Sequence, residues 1–394
     1  MIGAADAGNA GADDDDIEML GPRGRSPRKG GIRHGKALSS LIFWRQSCLN
    51  MSVEASPQMP RVETGRKRRS ALSILAVLIG LVAGFGLAEG LTRLLFPAFD
   101  PSGRFEFTYP VGSLLLGKPG TEARQVKNTG DYDVAVHINS HGLRDANDVA
   151  TAGSDDILVV GDSFTWGWGV EAQDRFSDQL QILTGRRTFN LSTPTDIDGY
   201  AALLDYARKL GSRAGRVVIA ICMENDLHLY GDAPQGGPPP DSGSALKEWL
   251  AGHSALYLLA VTTVQQTPWL RDLAVKAGLI VPNLEGIAKN DYDPAIIDSS
   301  ANHLKEIAEQ YRTLVVLIPS RALWVGNSRS RAIEDRVHTA FIVALQRRGI
   351  DVLDLQPVLE AQLAPLAYHF ANDGHWNVRG HALAARAISQ HLAR

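Results

Sequence analysis

The stretch ILVVGDSFTWGWG, residues 157–169, decides how the rest of the chain is interpreted. Its first four residues form an unbroken apolar run, which is typical of a strand that is buried on both faces of a sheet. Asp162 and Ser163 follow this run directly, and a glycine-rich turn at 167–169 comes before a helical segment that includes 176–180. A strand, a turn and a helix in this order predict one unit of an α/β fold, with Ser163 at the carboxyl end of the strand.

Further apolar runs at 217–222, 313–318 and 351–355 are separated by segments with helical spacing. Strands that are apolar on both faces and alternate with helices predict a parallel sheet covered on both sides, which is a doubly wound α/β sandwich. A longer insertion at 231–300 separates the second run from the third. Its first part is rich in Gly and Pro and predicts a surface loop, and its second part, 246–277, has helical spacing.

Residues 131–145 carry a different pattern, because apolar and polar side chains alternate along them. Val134, Val136 and Ile138 lie on one face, and the segment ends in the turn-forming residues 139–142. This alternation predicts a strand that caps the main domain.

The N-terminal part of the chain predicts a membrane anchor with a disordered extension before it. Residues 1–70 are rich in Gly, Ala, Asp, Arg and Ser without a sustained apolar period, which is typical of disorder. A more ordinary leader begins at Met51, so one hypothesis is that the natural start lies there. After the anchor at 71–92, the sequence predicts a short stalk at 93–130 and a catalytic domain at 131–394.

Residues 71–88 contain no charge, and about 18 residues at 1.5 Å each approach the hydrocarbon thickness of a bilayer. The basic cluster 66–69 directly before them matches the positive-inside rule, which predicts a cytoplasmic N-terminus and a domain outside the cytoplasm. The alternatives are a buried core helix and a cleaved signal peptide, since Gly86-Leu87-Ala88 loosely resembles a small-residue cleavage site. The apolar run is longer than the usual ~7–15 residues of a signal peptide, which favours an uncleaved anchor.

Ser163 needs a base, because a serine hydroxyl is a poor nucleophile until an adjacent group takes its proton. Asp373 and His375 lie two residues apart in a loop before the last helix. This spacing lets the carboxylate hold Nδ1–H while Nε2 faces the serine. Asn225 follows the run 217–222, so we expect its amide at the same sheet edge, where it and the Ser163 N–H stabilise an oxyanion. The main-chain N–H of Ser192 is the candidate for a third donor.

The blocks Gly161-Asp162-Ser163, Asn225-Asp226 and Asp373-Gly374-His375-Trp376-Asn377 resemble those of the SGNH (GDSL-like) hydrolase superfamily. The resemblance extends from about residue 130 to 394. It implies a flavodoxin-like three-layer sandwich and ester hydrolysis or acyl transfer on lipids, carbohydrates or small esters. Two departures are Ser192 in place of the usual oxyanion glycine and Met223 in place of a glycine two residues before Asn225.

The composition bears on partners and cofactors. A formal net charge of -3 makes nucleic acid an unexpected partner. No metal-ligand spacing occurs, and no cofactor is expected. Three functions stay open: an esterase outside the cytoplasm acting on acyl glycans or lipids, an O-acyltransferase that modifies a cell-envelope glycan, and a catalytically silent binding module on the same scaffold. The oligomeric state is open.

Overall fold

The computed structural model describes residues 64–230, 242–277, 279, 291–361 and 364–394. Among these residues, those up to Leu91 belong to one compact unit and those from Thr92 onward to another. The predictions for 1–63, including disorder and a start at Met51, lie outside the described residues.

All the described residues of the first unit belong to one helix, whose apolar stretch corresponds to the predicted anchor. Helix α1 spans Thr64–Leu95. Within it, Leu72–Leu95 has a mean hydropathy of 2.2 and is long and apolar enough to cross a membrane. At 1.5 Å per residue these 24 residues measure about 36 Å, against a hydrocarbon core of about 30 Å. The predicted apolar helix is therefore confirmed, and it continues at both ends beyond 71–88.

The second unit contains the remaining strands and helices. The strands are β1 (Phe107–Val111), β2 (Leu114–Gly117), β3 (Glu122–Val126), β4 (Asp133–His137), β5 (Ile157–Val160), β6 (Thr188–Asn190), β7 (Arg216–Cys222), β8 (Arg312–Ile318), β9 (Asp351–Asp354), β10 (His369–Phe370) and β11 (Asp373–Trp376). The helices are α2 (Ser163–Trp166), α3 (Phe176–Thr184), α4 (Ile197–Leu210), α5 (Ser242–His253), α6 (Ala255–Gln266), α7 (Pro268–Lys276), α8 (Pro294–Ala308), α9 (Ser328–Arg347), α10 (Gln356–Glu360) and α11 (Val378–Leu392).

A five-stranded parallel sheet in the order β6-β5-β7-β8-β9 forms the centre of this unit. Alternate residues of each strand face opposite layers, because side chains have a period of two along a strand. In β5, Leu158 packs in a cluster with residues of α4, α8 and α9. Its neighbour Val159 packs in a second cluster with residues of α3 and α11. The predicted three-layer α/β sandwich is confirmed.

The alternating segment behaves as its pattern predicts. Val134, Val136 and Ile138 are buried, and the intervening residues of β4 are exposed. Strand β4 pairs antiparallel with β3 and forms a hairpin that is separate from the central sheet.

Three features differ from the expectations. The segment 93–130, expected as a stalk, contains β1, β2 and β3 within the same compact unit as the sheet. Helix α8 begins inside the range 231–300 and buries Ile297 in the core, so it is a sheet-covering helix rather than part of the predicted insertion. Strand β6 was not expected, because a three-residue strand that ends in a polar side chain gives no periodic signal.

Candidate active site

A short helix after β5 places Ser163. Asp162 caps α2 by accepting a hydrogen bond from the Phe164 N–H at 3.0 Å. Gly167 ends α2 in the left-handed region with φ +86°. Gly161 cannot be replaced without displacement, because a Cβ there would lie 2.1 Å from Thr165 Oγ1. These constraints hold Ser163 half-buried at the carboxyl end of β5, where the sequence analysis expected it.

Ser163, His375 and Asp373 are connected by hydrogen bonds. Ser163 Oγ lies 2.8 Å from His375 Nε2. His375 Nδ1 lies 2.5 Å from Asp373 Oδ1, and the His375 main-chain N–H donates to the same oxygen at 3.1 Å. Each residue is therefore placed for the role predicted for it. The serine can lose its proton to Nε2, while the carboxylate orients the ring and stabilises its protonated form.

The carboxylate of Asp373 has further donors. Tyr132 OH donates to Oδ2 at 2.9 Å, and Lys127 Nζ lies 3.0 Å from the same oxygen. Burial by itself would raise the pKa of Asp373. The charge of His375, its hydrogen bond and the charge of Lys127 outweigh burial and hold the pKa well below its usual range. Asp373 is thus a permanent anion behind His375.

Aromatic rings surround His375. The ring of Trp168 stacks on the imidazole with centroids 5.3 Å apart, and the ring of Phe164 lies 5.0 Å away at a tilt. Trp168 Nε1 donates to Tyr132 OH at 2.7 Å, so the stacked ring is itself held in place. These contacts limit how far the imidazole can rotate away from Ser163.

A cleft of about 320 Å³ lies beside Ser163. Its lining residues are Asp162, Ser163, Pro194, Thr195, Asp196, Asn225, Asp226 and His228. Asn225 is exposed and shares this cleft with Ser163, as predicted. The predicted third donor is placed differently, because the Ser192 N–H donates to Asn190 Oδ1 at 3.0 Å. Ser192 is buried and its N–H is already used, so the structure does not bring it into the oxyanion site.

A buried ion pair, which no sequence motif predicted, links the two halves of the site. Arg321 donates from its main-chain N and from Nε to Glu224 Oε1, at 2.8 and 3.1 Å. Glu224 precedes Asn225, while the guanidinium of Arg321 lies against Gly374, between Asp373 and His375. Two features of the sequence could have predicted this ion pair: Glu224 directly precedes Asn225, and Arg321 comes just after the run 313–318. Both positions lie at the carboxyl edge of the sheet.

Two further buried ionisable groups lie close to the site. Burial raises the pKa of Asp162 to about 6, with the charge of His375 acting in the opposite direction. Burial also lowers the pKa of His369 to about 4, and the charge of Arg321 acts in the same direction. His369 is therefore neutral at physiological pH. Within the part of the chain that the structure describes, no group of three His, Cys, Asp or Glu residues could hold a metal ion.

Comparisons with known proteins give one family model and several solved structures that are similar to parts of this chain. Residues 293–394 match the family model described as SGNH hydrolase-like domain, acetyltransferase AlgX, a range that includes Asp373 and His375. A solved structure of a lipolytic G-D-S-L family member from Veillonella parvula is similar at 10% identity and a TM-score of 0.37, over 61% of this chain and 98% of that chain. Axe2, an acetylxylan esterase from Geobacillus stearothermophilus, is similar at 12% identity and a TM-score of 0.33, over 62% of this chain and 96% of that chain. A sequence search of curated proteins finds no match.

Proposed function

Because the chain carries an SGNH hydrolase-like domain, we propose that it is a serine-dependent ester hydrolase with Ser163 as nucleophile, His375 as general base and acid, and Asp373 as the orienting carboxylate. The observation that carries the proposal is the hydrogen-bonded series from Ser163 Oγ through His375 to Asp373, at 2.8 and 2.5 Å. A silent binding module would not require a base within hydrogen-bonding distance of an accessible serine hydroxyl.

The proposed reaction has two stages. Ser163 Oγ attacks the acyl carbonyl as its proton passes to His375 Nε2, and the oxyanion forms in the cleft beside Asn225. The alcohol leaves with the proton from His375, which leaves the acyl group on Ser163. Water then gives its proton to His375 and attacks the acyl-enzyme, which releases the acid and restores the serine hydroxyl.

The oxyanion donors are the Asn225 amide, the Ser163 N–H and a third N–H from the loop after β6. Pro194 lines the cleft but has no N–H. Thr195 lines it too, and among the described residues its N–H has no hydrogen-bond acceptor. Thr195 therefore takes the role that the sequence analysis assigned to Ser192. Each such donor stabilises the charge that develops in the transition state.

A second candidate is acyl transfer, in which a sugar hydroxyl replaces water in the second stage. The description of the matching family as an acetyltransferase favours it. In both cases the substrate is an acyl ester of a glycan or lipid. The helix Leu72–Leu95 serves as a single-pass anchor, with Arg66–Arg69 on the cytoplasmic side and the catalytic domain outside the cytoplasm.

The test is turnover of a chromogenic acetyl ester by the full chain in detergent, with and without an acceptor oligosaccharide. We expect release without acceptor for the hydrolase and acceptor-dependent turnover for the transferase. Ser163→Ala should abolish both turnover and labelling by a fluorophosphonate probe, while Ser154→Ala, at an exposed serine, should change neither. Unchanged labelling of Ser163→Ala would assign the nucleophile to another residue and refute the proposal.

A further inference from the structure

The hairpin β3–β4 contributes side chains to the acid of the proposed triad, although it lies outside the central sheet. Lys127 follows β3 and Tyr132 precedes β4. Both contact Asp373 Oδ2, at 3.0 and 2.9 Å, whereas the other oxygen, Oδ1, accepts the hydrogen bonds of His375. The two oxygens of one carboxylate are thus divided between the hairpin and the catalytic base.

The loop at the tip of this hairpin is attached to the neighbouring residue as well. Asp131 accepts hydrogen bonds from the main-chain N and from Nδ2 of Asn372, both at 3.1 Å. The Lys127 N–H donates to the Tyr132 carbonyl at 3.0 Å and closes the loop. One short loop therefore accepts hydrogen bonds from Asn372 and supplies a hydrogen bond and a positive charge to Asp373, which fixes the carboxylate relative to that loop.

The direction of the Tyr132 hydroxyl is set by Trp168. An indole N–H can only donate, so Trp168 Nε1 uses an acceptor position of the phenol oxygen at 2.7 Å. The phenol proton is then available for Asp373 Oδ2. The ring of Tyr132 is held from the side by the ring of Phe370, with centroids 5.0 Å apart, and by Gly169, where a Cβ would lie 2.6 Å from Tyr132 Cδ1.

We propose that Lys127 and Tyr132 are positioning residues of the catalytic site: Tyr132 fixes the orientation of Asp373, and the positive charge of Lys127 sets the pH range in which His375 acts as a base. The proposal rests on the proposed role of His375. It extends the functional site beyond the sandwich into a hairpin that the sequence analysis described only as a cap.

The sign of the charge effect follows from Coulomb's law. Asp373 favours the protonated form of His375, and the ammonium of Lys127 partly cancels that influence. Removal of the ammonium therefore favours protonation of the base, and activity is lost at a higher pH on the acid side. Among the described residues, Asp162, Glu224, Arg321, His369 and His381 also influence Asp373, His375 or the ion pair beside Gly374. They are unchanged in the variants below.

The experiment measures the rate of Ser163 labelling by a fluorophosphonate probe against pH, using the full chain in detergent. The acid limb of this profile is the pH range in which the labelling rate falls as pH decreases. In Lys127→Met it should move up by about 0.5–1 pH unit, because the pair of Lys127 and Asp373 is partly exposed. Lys127→Arg keeps the charge and should restore the wild-type profile. Arg124→Met is the matched control, since it removes a charge from the same hairpin at an exposed pair with Asp133 and should leave the profile in place.

Tyr132→Phe tests the orienting role. The ring and its packing remain, but Asp373 loses a donor, so kcat for the acetyl ester should fall about 10-fold while KM stays within about twofold. A loss of folding would lower the labelled fraction at every pH without moving the limb, and circular dichroism of each variant detects it. If Lys127→Met is folded and the wild type is labelled, an acid limb that stays at the wild-type pH would overturn the inference and leave the proposed function standing.

A measurement that does not require activity distinguishes a failure of the proposed function from a failure of the inference. Histidine labelled with 13C at Cε1 reports the titration of His375 by NMR, with His375→Gln for assignment. If wild type neither labels nor turns over ester, the proposed function fails. Whether or not the enzyme turns over ester, an upward shift of that titration in Lys127→Met supports the effect of the Lys127 charge on His375, and an unmoved titration refutes it.

Discussion

Gly374→Ala tests how the candidate site is held together, because Gly374 lies under the guanidinium of Arg321. A Cβ at this position would lie 2.3 Å from Arg321 Cζ, whereas ordinary contacts begin at 3.4 Å. Arg321 therefore has to retreat by about 1 Å, the difference between these two distances. It cannot do so freely, since its Nε and Nη2 donate to Glu224 at 3.1 and 3.3 Å and both side chains are at most 10% exposed.

The expected cost follows from breaking this ion pair. Loss of one partner of a buried pair costs about 3–5 kcal/mol, because the remaining charge is left without compensation. Burial raises the pKa of Glu224, but the charge and hydrogen bonds of Arg321 outweigh it and keep the pKa below its usual value. Glu224 thus depends on Arg321 to remain charged. For a domain of this size we expect the midpoint of thermal unfolding to fall by about 5–10 °C.

The assay is thermal unfolding of the full chain in detergent, followed by circular dichroism, with probe labelling of Ser163 as a second readout. Gly153→Ala is the matched control, because the nearest atom to its Cβ is Asp156 Oδ2 at 3.6 Å, and it should change stability by less than about 0.5 kcal/mol. In an Arg321→Ala background the cost of Gly374→Ala should largely disappear, since the clashing atoms are gone. An equal cost with and without Arg321 would refute the reasoning.

Further predictions concern the oxyanion site, acid stability and topology. Asn225→Ala should lower kcat about 100- to 1000-fold with little change in KM, whereas Ser192→Gly should have a small effect. Ester kinetics of both variants measure this. A nearly unchanged kcat in Asn225→Ala would place the oxyanion site elsewhere. Burial lowers the pKa of His381 to about 3, so the stability that its neutral form contributes is complete above about pH 6.5 and is lost as pH falls toward 3. In urea unfolding, the free energy of unfolding of His381→Leu should therefore change less steeply with pH below about 6.5, by up to about 1.4 kcal/mol per pH unit. An unchanged slope would count against this role of His381. A reporter fused after Arg394 should be active only if it functions outside the cytoplasm; cytoplasmic activity would reverse the proposed topology.

The central sheet could be predicted wherever burial alone determines the residue types. Strands β5, β7 and β8 each contain a long apolar run, and their observed ends differ from the predicted ones by at most one residue. Strand β6 escaped prediction because Asn190 is polar. Its burial is stabilised by tertiary contacts, in which the Asn190 amide donates to the Thr165 carbonyl and to Ser177 Oγ at 2.6 and 2.9 Å. No local pattern reports such partners.

The candidate site likewise contains residues that the sequence could predict and residues that it could not. Ser163, Asp373 and His375 were predictable because each lies in a short motif next to an element boundary. The proposed oxyanion donor on the loop after β6 was not predictable. Which N–H of a loop can face the cleft depends on which of its N–H groups already donate to a carbonyl or amide oxygen elsewhere. Here Asn190 Oδ1 accepts the Ser192 N–H and leaves Thr195 at the cleft.

The placement of the acid and base depends on contacts from other elements, because the hairpin that carries them is small. Strand β10 has two residues and β11 has four, and an isolated hairpin of this size has little stability of its own. The orientation of Asp373 and His375 is instead set by Tyr132 from the N-terminal hairpin, Arg321 from the loop after β8 and Phe164 from the nucleophile helix. The geometry of the proposed catalytic site is therefore a tertiary property: the motif supplies the proposed acid and base, and side chains distant in sequence supply the rigidity that keeps His375 within reach of Ser163.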